Sequence, residues 1–185
     1  MKNGKQQLRW PTVVFVALLL AATGCNPVIS KRPVGPQPAR IVAAEWEGNW
    51  IGPDGGVAIK VVDAYPAILK VAWREDDGGK RTMKTALVEL RESGDWFFAN
   101  TRAEGEGNGY LWARVKKEKQ QILIWEPDNE AFTKLVNDGV LPGRIDQKKV
   151  TLEELDTKKL SGLQSGDYGV PFKWSEPLIL FRPPN

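Results

Sequence analysis

The chain has no histidine among its 185 residues and only one cysteine, Cys25. Without imidazole, histidine acid–base catalysis, Ser–His and Cys–His nucleophiles and imidazole metal sites are excluded. A lone cysteine cannot close an intramolecular disulfide, so the folded part must stand on packing. Net charge is scarce as well: 26 basic residues face 23 acidic ones, and the excess is carried by Lys2, Lys5 and Arg9. From Cys25 onward the charges balance, and the basic field that nucleic acid demands is missing. No nucleic-acid partner is expected. An apolar run long enough to cross a bilayer is also missing. Val13–Ala22 falls short of the roughly 20 residues required, and Pro11 blocks its extension backwards.

What is present begins with that run. The basic start, the apolar Val13–Ala22 and the small Thr23-Gly24 are the three zones of a secretory signal. Cys25 follows directly, and Ala22-Thr23-Gly24-Cys25 resembles the lipobox of bacterial lipoproteins. The resemblance implies that residues 1–24 are a signal peptide, that the Cys25 thiol receives a diacylglyceryl group, and that cleavage occurs just before it. A soft, ionisable nucleophile suits attack on a lipid carbon. At about 0.8 kcal/mol per buried methylene, two or three acyl chains hold a protein on a membrane essentially permanently. Asn26, rather than aspartate, after the cysteine implies the periplasmic face of the outer membrane in a host with two membranes.

Residues 25–40 carry Pro27, Pro33, Pro36 and Pro38 among small and polar side chains, which predicts an extended tether. At about 3.1 Å per residue it would hold a domain roughly 40 Å from the lipid. Residues 41–185 are long enough for a single domain with a proper core.

From Ile41 short apolar runs alternate with Gly, Asp and Pro, which predicts consecutive antiparallel strands. Trp46 and Trp50 fall on one face of the first. Val57–Val62 and Ala67–Arg74 form a hairpin through Asp63–Pro66, followed by Arg81–Glu92, Trp96–Thr101, Tyr110–Lys116 and Ile122–Glu126. Most connections are short enough for hairpin loops, so sequence neighbours should be sheet neighbours. A meander of seven strands must curl or close to hide its edges. Asp128 then caps a short helix bearing Phe132, Leu135 and Val136 on one stripe and ended by Gly139; it should plug the barrel or pack on its side. Val150–Leu152 reads as a strand, Thr157–Gln164 as a second helix, and Leu178–Arg182 as the closing strand.

Gly48-Asn49-Trp50, early in the first strand of this meander, resembles the lipocalin and wider calycin pattern. The fold class expected is therefore mainly β, an antiparallel up-and-down barrel or strongly curled meander with one or two short helices in the C-terminal third. The resemblance implies a cavity for a small apolar molecule.

Seven of the eight tryptophans lie beyond residue 24. Most should fill the core; Trp50, Trp73 and Trp112 are the candidates for a ligand cavity. Gly105–Gly109 is not a phosphate loop, since no Lys-Ser/Thr and no helix follow it. Asp76-Asp77 and Asp128–Glu130 lack the ligand spacing of a calcium loop, and Glu45 with Glu47 reads as surface acid beside a buried tryptophan. No metal, cofactor or catalytic residue is assigned. The reading is an exported, membrane-anchored lipoprotein of the cell envelope, non-catalytic, binding a small apolar ligand in its barrel. The alternative is a filled barrel that contacts protein or glycan through its surface.

Overall fold

The structure is a computed structural model describing residues 27–77, 80–103, 109–165, 167, 168 and 171–184. The leader, Cys25 and residues 105–108 of the glycine-rich stretch lie outside the described residues.

The described chain opens with β1 (Val28–Ser30), β2 (Gln37–Pro38) and one helical turn, α1 (Ala43–Trp46). Seven strands follow: β3 (Gly48–Gly52), β4 (Gly55–Ala64), β5 (Ala67–Asp77), β6 (Lys80–Ser93), β7 (Trp96–Arg102), β8 (Tyr110–Lys117) and β9 (Gln121–Trp125). Each pairs antiparallel with the next. Helix α2 (Asn129–Asn137), a hairpin of β10 (Gly143–Asp146) and β11 (Lys149–Leu152), helix α3 (Thr157–Ser165) and β12 (Leu178–Phe181) complete the chain. β12 lies between β9 and β3, antiparallel to both. It closes β3–β9 and itself into an eight-stranded antiparallel barrel.

Period-two alternation explains the barrel wall. Val57, Ile59, Leu69 and Trp73 face inward and are buried, while Ala58, Lys60, Lys70 and Arg74 between them are exposed. Asp63 shapes the β4–β5 turn by accepting a hydrogen bond from the Tyr65 amide at 3.0 Å. The expected helix is α2: Asp128 accepts from the Ala131 amide at 3.1 Å, and Gly139, at φ +70°, ends it. α2 packs against β10 and β11, on the side of the barrel.

The β7–β8 wall therefore separates two cores. The inner one contains Trp46, Trp50, Leu69, Trp73, Leu90 and Val115. The outer one contains Phe98, Trp112, Trp125, Phe132, Leu152 and Phe172 under the helices and the β10–β11 hairpin. β8 is covered on both faces, with Leu111 to Val115 all buried.

Two expectations need correction. From Pro27 on, the segment predicted as a tether is part of the fold: β1 lies between β8, antiparallel, and β11, parallel, and β2 pairs with β6. Val28, Ile29, Val34 and Ala39 are buried. The prolines do keep this backbone extended, but an extended chain that meets an open sheet edge becomes a strand. Secondly, Trp46 and Trp50 do not share a strand. Trp46 ends α1, and Gly48, at φ +127°, takes the turn into β3 that a side chain would strain.

Candidate functional site

The inside of the barrel is closed at one end. Trp50 is fully buried there, and its indole Nε1–H donates to the Trp46 carbonyl at 2.9 Å. Arg182, directly after β12, places its guanidinium 4.7 Å from the centre of the Trp50 ring. The same guanidinium donates to the carbonyls of Ala44, Glu45 and Glu47 at 3.3, 2.8 and 3.0 Å. A helix end leaves carbonyls without partners; Arg182 takes those of α1 and fixes that turn across the barrel. Lys117 Nζ also lies 5.3 Å from the Trp50 ring. Burial and the charge of Arg182 push the pKa of Lys117 down.

Above this floor the packing loosens. Val71, Ala86, Val88, Ala99 and Ile124 all point inward against the core, yet each is only half-buried. By register Val71 opposes Ala86, Val88 opposes the buried Leu69 and Ala99 opposes Leu90, while Ile124 stands on β9 opposite Leu178. With one end covered by α1, solvent reaches these side chains from the other, where β5 gives way to β6. Towards that mouth stand Trp73, buried, and Lys84 opposite it. Lys84 pairs with Glu75 at 3.4 Å. The Trp73 Nε1–H is buried and has no hydrogen-bond partner among the described residues. A buried donor left unpaired is costly, so a ligand acceptor that reached it would be held. The inward side chains here are thus aliphatic, with Trp50 at the closed end and the Lys84–Glu75 pair towards the other.

Of the residues singled out in the sequence, Trp50 and Trp73 are brought together in the inner core, one on the floor and one on the wall. Trp112 is a correction. It faces outward into the second core, 2% exposed, edge-on to Phe98, Phe132 and Phe172 at 5.9, 5.4 and 5.9 Å. It cannot line the barrel, because the inward positions of β8 are Leu111, Ala113 and Val115. Glu45 and Glu47 are exposed on either side of the buried Trp46: Glu45 lies in α1, and Glu47 accepts from the Val61 amide at 3.1 Å. Cys25 lies outside the described residues.

Arg182 and the half-buried aliphatic band were not singled out from the sequence. The band carries a signal that could have found it, alternation at Ala86, Val88 and Ala99. Arg182 carries none, since its role depends on carbonyls some 135 residues away.

Two clefts lie on the barrel's outer face. One, of about 500 Å³, is lined by Ile68, Leu87, Glu89, Asn100, Arg102 and Tyr110. The other, of about 630 Å³, has Ala58 and Ala72 among its floor residues and Ile51, Arg74, Arg81 and Met83 around them. Among the described residues no group of three or more acidic or cysteine side chains is arranged to hold a metal.

The closed eight-stranded antiparallel barrel is consistent with a lipocalin-like barrel. No protein-family model, curated protein or solved structure matches this chain.

Proposed function

We propose that this protein is exported, held on a bacterial membrane by acyl chains on Cys25, and binds a small apolar molecule in a lipocalin-like manner inside its barrel. The observation that carries the binding is the inward band of Val71, Ala86, Val88, Ala99 and Ile124, half-buried although it faces the interior of a closed barrel. Leu69 and Leu90, deeper in the same barrel, are buried, so the half-exposed apolar side chains mark the end at which a ligand would enter. Apolar walls with a few polar groups at the rim are the usual make-up of a small-molecule site. The anchor rests on the residues before Cys25 alone. In a host with two membranes, Asn26 supports placement at the periplasmic face of the outer one.

A second reading has its own observation. Met83 and Leu87 on β6 and Ile51 on β3 are 66%, 60% and 51% exposed on the outer face, beside the two clefts. Such a surface suits contact with another envelope protein or with glycan.

The test uses the chain without residues 1–24 and with Cys25→Ser. Native mass spectrometry should find a co-purifying small molecule, and the apolar fluorophore N-phenyl-1-naphthylamine should bind. Ala86→Phe, which puts a ring into the band, should weaken that binding by about tenfold or more, some 1.4 kcal/mol. A clean mass with no dye binding would shift the reading to the outer face. In cells, full-length Cys25→Ser should leave the membrane fraction; retention there would remove the anchor.

A further inference from the structure

We infer that the lipidated protein is docked against the bilayer, with the β10–β11 turn and its lysines at the headgroups, and does not stand off on a spacer. The inference rests on the acyl anchor at Cys25 proposed above. Its basis is the short chain between that residue and the fold. Val28 already sits in β1, hydrogen-bonded into the sheet between β8 and β11. Three residues of fully extended backbone span at most about 11 Å, so the backbone of the residue that carries the lipid stays within that reach of the fold.

Register says which surface lies there. β1 runs parallel to β11 with Val28 beside Val150 and Ile29 beside Thr151. Going backwards along both strands, the direction that leads from Val28 towards Cys25 leads from Val150 through Lys149 to the β10–β11 turn. Asp146 pairs with Lys149, and Gln147 and Lys148 form the tip at φ +46° and +71°. Gln147 and Lys148 are exposed, and the Lys148 carbonyl is held by Asn129 Nδ2 at 3.0 Å, which fixes the tip against the start of α2.

Charge agrees with position. The hairpin carries Arg144, Lys148 and Lys149 against the single acid Asp146, in a chain whose charges balance beyond Cys25. Basic side chains held within a Debye length, about 8 Å, of anionic lipid are attracted to it. The hairpin's own basic side chains therefore fit a bilayer containing anionic headgroups, with Asp128 and Glu130 flanking Asn129 on the adjoining start of α2 as the acids they must outweigh.

The test exploits the single cysteine. In the full-length lipidated protein the Cys25 sulfur is blocked, so an introduced cysteine is the only free thiol. Gln147→Cys and, on β4 across the barrel from β8, Lys60→Cys are each labelled with a fluorophore. The proteins are reconstituted into phosphatidylcholine–phosphatidylglycerol vesicles containing nickel-chelating lipid. Quenching should be at least about threefold stronger at position 147 than at 60, because the barrel's own width separates the two sites. Equal quenching on protein that floats with the vesicles would overturn the docked orientation while leaving the anchor intact. Protein that fails to float would remove the anchor and this inference with it.

Discussion

Arg114 is buried beside Trp96, Trp174 and Phe172, with its guanidinium 4.1, 5.1 and 5.8 Å from their ring centres. Among the described residues no carboxylate pairs with it and its buried Nε–H has no partner, and burial pushes its pKa down. The ring faces return part of what desolvation takes, about 2 kcal/mol for a desolvated cation, but not the in-plane hydrogen bonds. Arg114→Met keeps the length of the side chain, removes the charge and orphans no acid. It is expected to change stability by less than about 1 kcal/mol, or to raise it. Arg114→Ala opens a hole among the rings and should cost about 2–3 kcal/mol. Urea unfolding separates the two, and an equal loss in both variants would mean that the cation itself holds the rings together. Nothing in the sequence marks this arginine, because charge on an outward strand position reads as surface. The same blindness misplaced Trp112. Alternation tells inside from outside only where the outside is wet, as it is for Val57 and Trp73, and β8 is covered on both faces.

At the scale of elements, what was legible is what is local. The β4–β5 hairpin, the series β3–β9, the Asp128 cap and the closing strand each carry their own alternation or turn chemistry. β1, β2 and β10 do not: each is only two to four residues long and is defined by distant partners. Asn100 shows how that distance is bridged. Its Oδ1 accepts from the Val34 amide at 2.7 Å, and its Nδ2 donates to the Val34 carbonyl at 3.0 Å, so one side chain stands in for a missing strand. Asn100 is 1% exposed and Val34 2%. Asn100→Ala leaves both Val34 backbone groups buried and unpaired, and should cost about 2–4 kcal/mol. Hydrogen exchange should locate the damage. The Val34 amide and those of β1 are expected to exchange much faster, while those of β4 and β5 hold or speed up only as far as global stability falls. Uniform acceleration would mean that Asn100 serves the barrel and not the N-terminal segment.

For the whole molecule the question is whether the barrel is a self-sufficient domain to which the N-terminal segment is merely attached. Closure suggests that it is: eight strands pair without β1, and α1 with Arg182 seals one end. The second core argues the other way. Val28, Ile29 and Val34 each bury a side chain worth about 1.5–3 kcal/mol, so together they contribute roughly 5–9 kcal/mol. Whole domains are stable by only about 5–15 kcal/mol. Removing residues 26–40 also strips a partner from both β8 and β11 and uncovers Leu111 and Trp112. A chain beginning at Ile41 is therefore expected to melt well below the one beginning at Asn26, by more than about 10 °C, given 2–4 °C per kcal/mol at this size. A true spacer could be deleted without effect, so an unchanged melting temperature would overturn the packed N-terminus and, with it, the short reach inferred from the proposed lipid to the fold. If the loss is found, the segment serves two ends at once. On the proposal that Cys25 is acylated, any pull on its chains would then pass straight into β1, which is hydrogen-bonded on both sides, and that anchor could not move without moving the wall between the two cores.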